Sequence, residues 1–437
     1  MTEPGEKSML RTTTGRSAGG VAVALGTALL LAGCTGTSSA AVAPGAPGPA
    51  TAPAPSTTGS AGPAPVASPT PVPALAVATS FTDRGVGVRP DRPISVALGA
   101  GPAGRLTKVS LTSAAGTAVP GATSADGQRW TSTGRLAPST TYTLTATGAV
   151  APGTKSVGST SRRTFTTVRQ TASLRASVAP LDGSAVGVGM PIIVTFSAPV
   201  TDRAAVERAL HVTKGRPVAG SWNWVDGTTV HYRPKTYWPA HTSVRLRADL
   251  VGVDAGAGVW GTKDRDISFT VGRSVVDEVD LSRHVMGVFV DGRLSRTLQI
   301  TGGKDGFSTR SGTKVIMEKY RVKHMDAATT GTAPGSPNYY QVDAPFAMRV
   351  TNSGEFLHGA PWSTGSQGSA NVSHGCVGMS LADAEWLFGQ SKVGDVVRVT
   401  GSARTIEPGN GWSDWNVPWK RWVAGSAVGP GSGSAGA

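Results

Sequence analysis

Short runs of alternating apolar and polar residues fill the middle of the chain, and they constrain its fold more than any other feature. Pro93-Ile94-Ser95-Val96 recurs about 100 residues later as Pro191-Ile192-Ile193-Val194, and Thr164-Phe165-Thr166-Thr167-Val168 recurs as Ser268-Phe269-Thr270-Val271. Gly, Pro, Asp and Ser residues separate the runs from one another. Alternation with a period of two is typical of half-buried antiparallel strands, so the pattern predicts a β-rich unit that is present twice.

Each copy of this repeat has the length of a β-sandwich domain. We therefore predict two immunoglobulin-like β-sandwiches, over residues 75–170 and 171–272. Neither segment contains a cysteine pair, or a cluster of His, Asp and Glu at the spacing of metal ligands. Both segments are therefore interpreted as spacers.

Residues 273–401 are predicted to form a third domain, mostly β with one or two small helices. An Asp291-Gly292 turn between two apolar runs indicates a β-hairpin. A short amphipathic helix is predicted over residues 381–388, followed by a strand over residues 393–399. The fold class predicted for the whole chain is mainly β.

Four tryptophans lie close together beyond Gly401, and they are Trp412, Trp415, Trp419 and Trp422. Their spacing matches one face of a helix, but Pro418 argues against a single uninterrupted helix. We predict that residues 402–424 form a Trp-rich C-terminal subdomain whose rings dock on the third domain. The alternative is an exposed carbohydrate-binding platform. Residues 425–437 are predicted to be disordered.

The first 34 residues have the pattern of a processing signal. A basic start is followed by an apolar stretch from Val21 to Leu31 and by Leu31-Ala32-Gly33-Cys34. This segment resembles a bacterial lipoprotein signal, in which the chain is cut before the cysteine and the thiol of Cys34 carries lipid. The apolar stretch is shorter than the roughly 20 residues of a membrane-spanning helix, so a transmembrane anchor is the weaker alternative. We expect an exported protein that lipid holds at the outer face of the cytoplasmic membrane.

Residues 35–74 are almost entirely Ala, Pro, Gly, Ser and Thr, and they carry no charge. Such a segment cannot bury a core, and its prolines favour an extended linker. The linker would let the folded domains reach from the membrane into the cell wall.

The chain is basic, with a formal net charge of +14. Export removes nucleic acid as a partner, although an intracellular protein of this charge would suggest one. Attraction to an anionic envelope is the favoured interpretation, and a solvated surface without a partner is the alternative.

Cys376 is the only cysteine besides Cys34, so a lipidated Cys34 leaves it without a disulfide partner in the chain. An unpaired thiol in an oxidising compartment is a liability unless its reactivity is used. Two histidines are available as a base: His374 lies two residues before Cys376, and His358 lies eighteen residues before it. Gly375 leaves room for a carbonyl substrate, and backbone N–H groups there would hold a developing oxyanion. The pattern favours nucleophilic catalysis by Cys376.

Two other interpretations of these three side chains stay open. Two histidines and a cysteine are also suitable ligands for Zn²⁺, and a lone buried cysteine is often a small apolar core residue. A metal needs a fourth ligand or an open water position, and no well-spaced additional Cys, His or Glu accompanies them. We predict no metal and no cofactor.

The motif Ser373-His374-Gly375-Cys376, preceded by His358-Gly359-Ala360-Pro361-Trp362, resembles the signature of the L,D-transpeptidase (YkuD-type) catalytic domain. The resemblance extends through Gly365-Ser366-Gln367-Gly368 to Asp414-Trp415-Asn416-Val417-Pro418-Trp419, which is similar to the C-terminal subdomain of actinobacterial members. A lipoprotein signal, a linker, two immunoglobulin-like domains and this catalytic domain also form the architecture of that group. On this resemblance, residues 273–401 are identified as the catalytic domain.

The resemblance implies an acyltransferase that forms 3→3 cross-links in peptidoglycan without ATP. Cys376 would attack the carbonyl of the third residue of a donor tetrapeptide stem, expel the terminal D-alanine and form a thioester. The side-chain amine of the diamino acid in a neighbouring stem would then accept the acyl group. β-Lactams of the carbapenem type would acylate the same cysteine.

The resemblance also implies roles for individual residues. His358 would act as general base on the thiol of Cys376, and the Gly359 backbone carbonyl would orient its ring. The residues that shape the site and its oxyanion hole would be Ser373, His374 and Gly375. The residues of the mobile flap and the substrate groove would be Met317, Tyr339, Tyr340 and Trp362.

One position departs from the family pattern. Many members have Asn two residues after the cysteine, where this chain has Gly378. The missing amide would alter substrate orientation, rate or sensitivity to β-lactams. Two alternatives to the transpeptidase follow: a wall-binding lipoprotein with a degenerate site, and an L,D-carboxypeptidase in which water takes the thioester.

Overall fold

The computed structural model describes residues 75–99, 104–150 and 157–429. Cys34 and the linker predicted over residues 35–74 lie outside these ranges. None of the helices within them has the length and apolar character needed to span a bilayer.

The first described domain is a sandwich of two β-sheets. Its strands are β1 (Val77–Thr79), β2 (Gly85–Val88), β3 (Ser95–Leu98), β4 (Gly104–Ser113), β5 (Ala118–Val119), β6 (Gly121–Thr123), β7 (Arg129–Ser132), β8 (Thr141–Val150) and β9 (Ser159–Thr167). They form one sheet in the order β1-β3-β7-β6 and another in the order β2-β9-β8-β4-β5. Apolar side chains of both sheets, among them Trp130 and Phe165, form the core between them.

The second domain repeats this topology. Its elements are β10 (Ala172–Leu174), β11 (Ala176–Ala179), β12 (Ala185–Val186), β13 (Ile192–Phe196), α1 (Arg203–Glu207), β14 (Leu210–Lys214), β15 (Gly220–Trp224), β16 (Thr229–Pro234), β17 (Ser243–Ala248), β18 (Asp254–Gly256), β19 (Val259–Gly261) and β20 (Arg265–Val271). Its main sheets have the orders β11-β13-β16-β15 and β12-β20-β17-β14, with a small third sheet β10-β19-β18. Strands β3 and β13 occupy equivalent central positions. The repeated Ile-x-Val motif lies at the start of both, with Ile94 directly before β3 and Ile192 as the first residue of β13. The predicted repeat is therefore present in the strand order.

The third domain is built on one nine-stranded sheet. Its strands are β21 (Val275–Asp280), β22 (Val285–Val290), β23 (Arg293–Thr301), β24 (Gly312–Val315), β25 (Glu318–Asp326), β26 (Gln341–Arg349), β27 (Phe356–Gly359), β28 (Val377–Met379) and β29 (Val396–Thr400). Its helices are the 3-10 turns Ala327–Thr330 and Pro361–Ser366 and the helix α2 (Leu381–Gln390). The strand order is β24-β29-β21-β22-β23-β28-β27-β26-β25. The mainly β fold class is confirmed.

Two local predictions in this domain are also confirmed. Asp291 and Gly292 have φ angles of 48° and 79°, as a two-residue hairpin turn requires. The Ser380 hydroxyl accepts the Asp383 backbone N–H at 3.1 Å and so caps α2. In the strand order, β27 and β28 are parallel neighbours. His358 lies on β27, and Cys376 directly precedes β28.

The Trp-rich tail packs largely on the second sandwich, so the prediction that its rings dock on the third domain is wrong for Trp415, Trp419 and Trp422. Trp412 packs against the core of the second sandwich, which also includes Val396 of the third domain. The Trp415 and Trp422 indole N–H groups donate to the carbonyls of Gly189 and Ser221, at 2.8 and 3.0 Å. The guanidinium of Arg233 lies 4.6–5.3 Å from the ring centroids of Trp415, Trp419 and Trp422. The cation and the three rings bury each other, and sequence spacing gave no sign of this partner.

The polypeptide of the tail nevertheless contacts both domains. The Asn416 side chain accepts the Thr313 backbone N–H at 2.8 Å in the third domain, and Asp414 pairs with His231 of the second sandwich at 3.0 Å. The tail contains the 3-10 turn Asp414–Asn416 and the helix α3 (Trp419–Val423), with Pro418 between them, as predicted.

The predicted disorder from residue 425 is wrong for residues 425–429, because the Gly425 carbonyl accepts the backbone N–H of Trp224 at 3.1 Å. Residues 430–437 lie outside the described ranges.

Two buried carboxyl groups lie where the second sandwich meets the third domain. Asp277 and Asp395 have no exposed surface, and both oxygens of Asp277 and one of Asp395 lack a hydrogen-bond partner. Gly187 of the sandwich donates its N–H to the Val393 carbonyl at 2.9 Å and lies so close to Asp395 that it has no room for a side chain. Burial raises the pKa of Asp395 to about 7, against 3.8 for an ordinary aspartate, although Lys392, Lys319 and Arg273 oppose the rise. Burial and the nearby Asp395 raise the pKa of Asp277 well above its ordinary value.

We predict that Asp395→Asn stabilises the protein in a pH-dependent way. Because the folded pKa is raised, the folded state holds the proton more tightly than the unfolded state, and stability is lost as the pH rises from about 4 to about 7. A shift of this size corresponds to about 4 kcal/mol above pH 7. Urea titrations at pH 4 and pH 8 should therefore show a gain near zero at the lower pH and a large gain at the higher one. Equal gains at both values would contradict the prediction.

Candidate active site

Cys376 lies at the end of a tight turn that leads into β28. The Ser373 hydroxyl accepts the Gly375 N–H at 3.1 Å and donates to the Cys376 carbonyl at 2.6 Å, which closes the turn. Gly375 has a φ of 124°, a conformation that side-chain-bearing residues rarely adopt. Ser373 therefore orients the turn. The Gly375 N–H is already engaged, so the oxyanion role expected of it is not available in this conformation.

The sulfur of Cys376 is held from the segment before β27. The side chain is 7% exposed, and Sγ lies 3.7 Å from the Gly354 carbonyl, to which the thiol donates. Burial raises the pKa of this thiol to about 12, although a backbone N–H bond from Phe356 and the charge of Lys314 oppose the rise. At neutral pH the resting group is therefore a thiol, and it needs a base to become a nucleophile.

His358 supplies a neutral imidazole on the strand next to β28, which follows Cys376 in the chain. It lies on β27, directly opposite Gly378 of the parallel strand β28. Its Nδ1 is 2.7 Å from the Gly359 carbonyl, and because a carbonyl only accepts, Nδ1 carries the proton and Nε2 keeps a lone pair. Burial lowers the pKa of His358 below its ordinary value, which favours the neutral form. The contact with Gly359 predicted from the sequence is present.

Both side chains open onto one cavity of about 240 Å³. It is lined by Thr301, Met325, Tyr340, Val342, His358, Ala360, Trp362, Ser363, Val372, Ser373, His374, Cys376 and Gly378. None of these is an Asp, Glu, Lys or Arg. The Trp362 ring, 53% exposed, stacks on the His358 ring with 5.7 Å between centroids. Trp362 thus covers the imidazole on its solvent side.

His374 lies at the cavity wall between two aromatic rings. Its ring centroid is 4.7 Å from that of Phe307 and 4.8 Å from that of Tyr340. Partial burial and the nearby Lys304 lower the pKa of His374, and its Nε2 has no hydrogen-bond partner. This packing orients the ring towards the substrate space and keeps it neutral.

Of the four residues predicted for the flap and groove, two line the cavity and two do not. Strands β25 and β26 form a long hairpin, and Tyr340, just before β26, reaches the cavity. Tyr339 points instead to Asp326, whose carboxylate raises its pKa together with partial burial. Met317 lies at the base of the hairpin, in a separate cavity that it shares with Gly411 and Trp412 of the tail, so its predicted place in the groove is wrong. It precedes the hairpin and is therefore far from the hairpin tip.

No group of three or more His, Cys, Asp and Glu side chains is arranged to hold a metal within residues 75–99, 104–150 and 157–429. Because Nδ1 of His358 donates to the Gly359 carbonyl, only Nε2 of this ring has a lone pair that could bind a metal. Cys376 is the free thiol of the described chain.

Comparison with known proteins agrees with this geometry. Residues 275–399 match the family model YkuD, the L,D-transpeptidase catalytic domain, and residues 85–254 match that of a bacterial Ig domain. L,D-transpeptidase 2 of Mycobacterium tuberculosis is 36% identical over 349 residues, which cover 80% of this chain and 84% of that protein. The chain belongs to the L,D-transpeptidase family.

Other L,D-transpeptidases show the same relationship. L,D-transpeptidase 5 of M. tuberculosis is 37% identical over 357 residues, 80% of this chain and 76% of that protein. Among solved structures, M. tuberculosis L,D-transpeptidase 3 in complex with a faropenem-derived adduct is 31% identical, with a TM-score of 0.44, and the match covers 52% of this chain and 98% of that one.

Sequence reasoning missed several residues of this L,D-transpeptidase family site. Thr301 lines the cavity, and its hydroxyl accepts the Val372 N–H at 3.0 Å. A buried charge cluster of Arg310, Lys314 and Glu355 lies behind the nucleophile. Thr301 and Lys314 lie on two strands and Arg310 and Glu355 on two loops, and they match no local motif, so only the fold brings them together.

Gly378 is packed too closely for the asparagine that many L,D-transpeptidases have there. A Cβ at this position would lie 2.9 Å from the Ala360 methyl and 3.1 Å from Cγ2 of Thr301. We predict that Gly378→Asn destabilises the protein by about 1–3 kcal/mol through overpacking. Urea unfolding would measure the loss, and the double variant with Ala360→Gly should recover part of it. A single variant as stable as the parent would show that the strand can move aside.

Proposed function

We propose that this chain is an L,D-transpeptidase that forms 3→3 cross-links in peptidoglycan through a thioester on Cys376. Family membership and fold support a transpeptidase. The observation that carries the finer proposal is the pairing of a buried thiol with a neutral imidazole on one cavity. His358 has its Nδ1 proton tied to Gly359, which leaves Nε2 as the base.

In the first half-reaction the thiol proton of Cys376 moves to Nε2 of His358. The sulfur attacks the carbonyl carbon of the third stem residue, and a tetrahedral oxyanion forms. The C–N bond to the terminal D-alanine then breaks, and the imidazolium returns the proton to the leaving amine. The products are D-alanine and a thioester on Cys376.

In the second half-reaction the side-chain amine of another stem attacks the thioester. His358 takes a proton from that amine and returns it to the departing sulfur, which restores the resting thiol. The cavity lining contains no Asp, Glu, Lys or Arg, so it favours an uncharged segment of peptide at the reacting carbonyl. Trp362 over the imidazole would limit the entry of water, which competes with the amine for the thioester.

Two further parts of the proposal concern inhibitors and location. A carbapenem carries a strained, electrophilic carbonyl, so the same thiol would open its ring and remain acylated. We also propose that the chain is exported and lipidated at Cys34, since its first 34 residues resemble a lipoprotein signal.

Incubation of the full chain with a tetrapeptide stem as donor and a second stem as acceptor tests the proposal. Intact mass should show a tripeptide adduct on Cys376, and product analysis should show free D-alanine and a cross-linked dimer. Tripeptide without dimer would support the L,D-carboxypeptidase instead. No adduct with the donor or with imipenem would favour a wall-binding protein with a degenerate site.

A further inference from the structure

A buried cluster of charges lies directly behind the nucleophile, and the proposed chemistry does not use it. Lys314 is 1% exposed and Glu355 is 4% exposed. The Lys314 ammonium donates to one oxygen of Glu355 at 2.5 Å. Arg310 donates to the other oxygen twice, from its guanidinium and from its backbone N–H, at 3.0 Å each. Both oxygens of this carboxylate thus accept hydrogen bonds from a cationic side chain, and one of them also accepts a backbone N–H.

Glu355, which supplies the carboxylate of this cluster, lies in the chain between Gly354 and Phe356, and the backbones of these two neighbours hold the Cys376 sulfur. Gly354 accepts the thiol of Cys376, and the Phe356 N–H donates to it. Between them, the Glu355 backbone donates to the Thr351 hydroxyl at 2.9 Å. Both the backbone and the side chain of Glu355 are therefore fixed, and the two groups on the sulfur are fixed with them.

The same side chain also supports the turn that presents the nucleophile. A Cβ added to Gly375 would lie 3.6 Å from Cγ of Glu355, in ordinary van der Waals contact. The Glu355 stem is therefore packed under the turn at Gly375. Glu355 thus lies beside both the segment that holds the sulfur and the turn that presents it.

The cluster joins two cations to one buried carboxylate, and Arg310 also pairs with the exposed carboxylate of Glu407 at 2.6 Å. Its members are buried, where charges are poorly screened and act strongly on a neighbouring group. Arg349 also faces the sulfur, but it is ion-paired with Glu318 at 2.8 Å. Within the cluster, the charge of Glu355 opposes a thiolate on Cys376, and Lys314 is the member whose charge favours it.

We propose that Lys314, Glu355 and Arg310 are positioning residues for the nucleophile: they fix the Gly354 carbonyl and the Phe356 N–H on the sulfur, and Lys314 places one positive charge near the thiolate. This inference rests on the proposed role of Cys376. It assigns the three residues a purpose beyond the stability of the fold.

The test uses two readouts on the full chain. Site-resolved alkylation of Cys376 by iodoacetamide, followed from pH 6 to pH 11, reports thiolate formation without any transpeptidase activity. Acylation of Cys376 by the tetrapeptide donor, followed by intact mass, reports positioning for the reaction. Arg398→Met is the matched control, because it removes a cation from an exposed ion pair with Glu278 on the same sheet.

Lys314→Met is expected to slow alkylation at pH 8 by about 10-fold, the equivalent of one pKa unit, and to move its pH profile upward. Glu355→Gln is expected to leave alkylation equal or faster, because an anion beside the thiol is lost, while donor acylation falls about 10-fold or more. In Glu355→Gln, unchanged or faster alkylation together with slower donor acylation would show that Glu355 positions the thiol rather than ionising it. The control should change neither readout by more than about twofold.

The double variant Lys314→Met/Glu355→Met covers the case in which a single variant does not fold, since an apolar pair often replaces a buried ion pair without loss of stability. It is expected to fold and still to acylate about 10-fold or more below the parent. Full acylation by this double variant, or an unchanged alkylation profile in Lys314→Met, would overturn the inference. If the parent chain is alkylated but never acylated, the proposed function fails, and the alkylation profile still decides whether the cluster acts on the thiol.

Discussion

Replacing Cys376 with alanine is expected to reduce the release of D-alanine from a tetrapeptide stem by about 10⁴-fold or more. The sulfur would form the covalent intermediate, and no other thiol lies in the described part of the chain. Without it, neither the thioester nor the dimer can form. D-alanine release and the mass of the acyl adduct would be measured together.

The control for this prediction is stability. The Cys376 sulfur makes two weak polar contacts, to the Gly354 carbonyl at 3.7 Å and to the Phe356 N–H, so alanine should leave a small cavity and the fold intact. Cys376→Ser keeps a hydroxyl of similar shape but loses the readily ionised sulfur, and it should be almost as inactive. Substantial dimer formation by a folded alanine variant would show that another residue is the nucleophile.

Replacing His358 with glutamine is expected to slow acylation of Cys376 by about 10²–10⁴-fold. Because burial raises the pKa of the thiol to about 12, very little thiolate exists at neutral pH without a base. Glutamine can still donate to the Gly359 carbonyl but cannot accept the thiol proton. Single-turnover acylation followed by mass spectrometry would measure the loss.

The pH dependence separates a general base from a structural residue. Since burial lowers the pKa of His358, the parent rate should rise with pH through a midpoint below 6.5, as the imidazolium loses its proton. The glutamine variant should lose this limb. His374→Gln is the matched control, because it makes the same change at the other histidine of the cavity and should keep the limb. A parent midpoint above 6.5 would contradict the assignment of His358.

The parts of the fold that could be predicted from the sequence are those encoded over a few adjacent residues. The Asp291-Gly292 turn selects its hairpin by backbone conformation alone, and Ser380 caps its helix through one local hydrogen bond. The alternation of the sandwich strands likewise depends only on which face is buried. The hydrogen bonds of the turn around Cys376 are equally local, since they join Ser373, Gly375 and Cys376 within four residues.

The parts that could not be predicted depend on contacts between distant segments. The family resemblance places Met317 in the substrate groove. The hairpin carries its tip to the cavity, however, and Met317 at its base lines a separate cavity. The tryptophans of the tail show an apolar pattern, but a pattern does not say which domain it covers. The rings pack around Arg233, which lies in a strand of the second sandwich about 180 residues earlier in the chain.

The packing of the tail bears on how the chain can be shortened. A fragment that begins at residue 273 would keep Cys376 and His358 but would lose Arg233, leaving three indole rings without the cation they surround. It would also uncover Asp395, whose carboxyl group Gly187 shields from water. The smallest piece that folds well should therefore start near residue 171, and truncations from the amino terminus should be tolerated up to that point and fail beyond it.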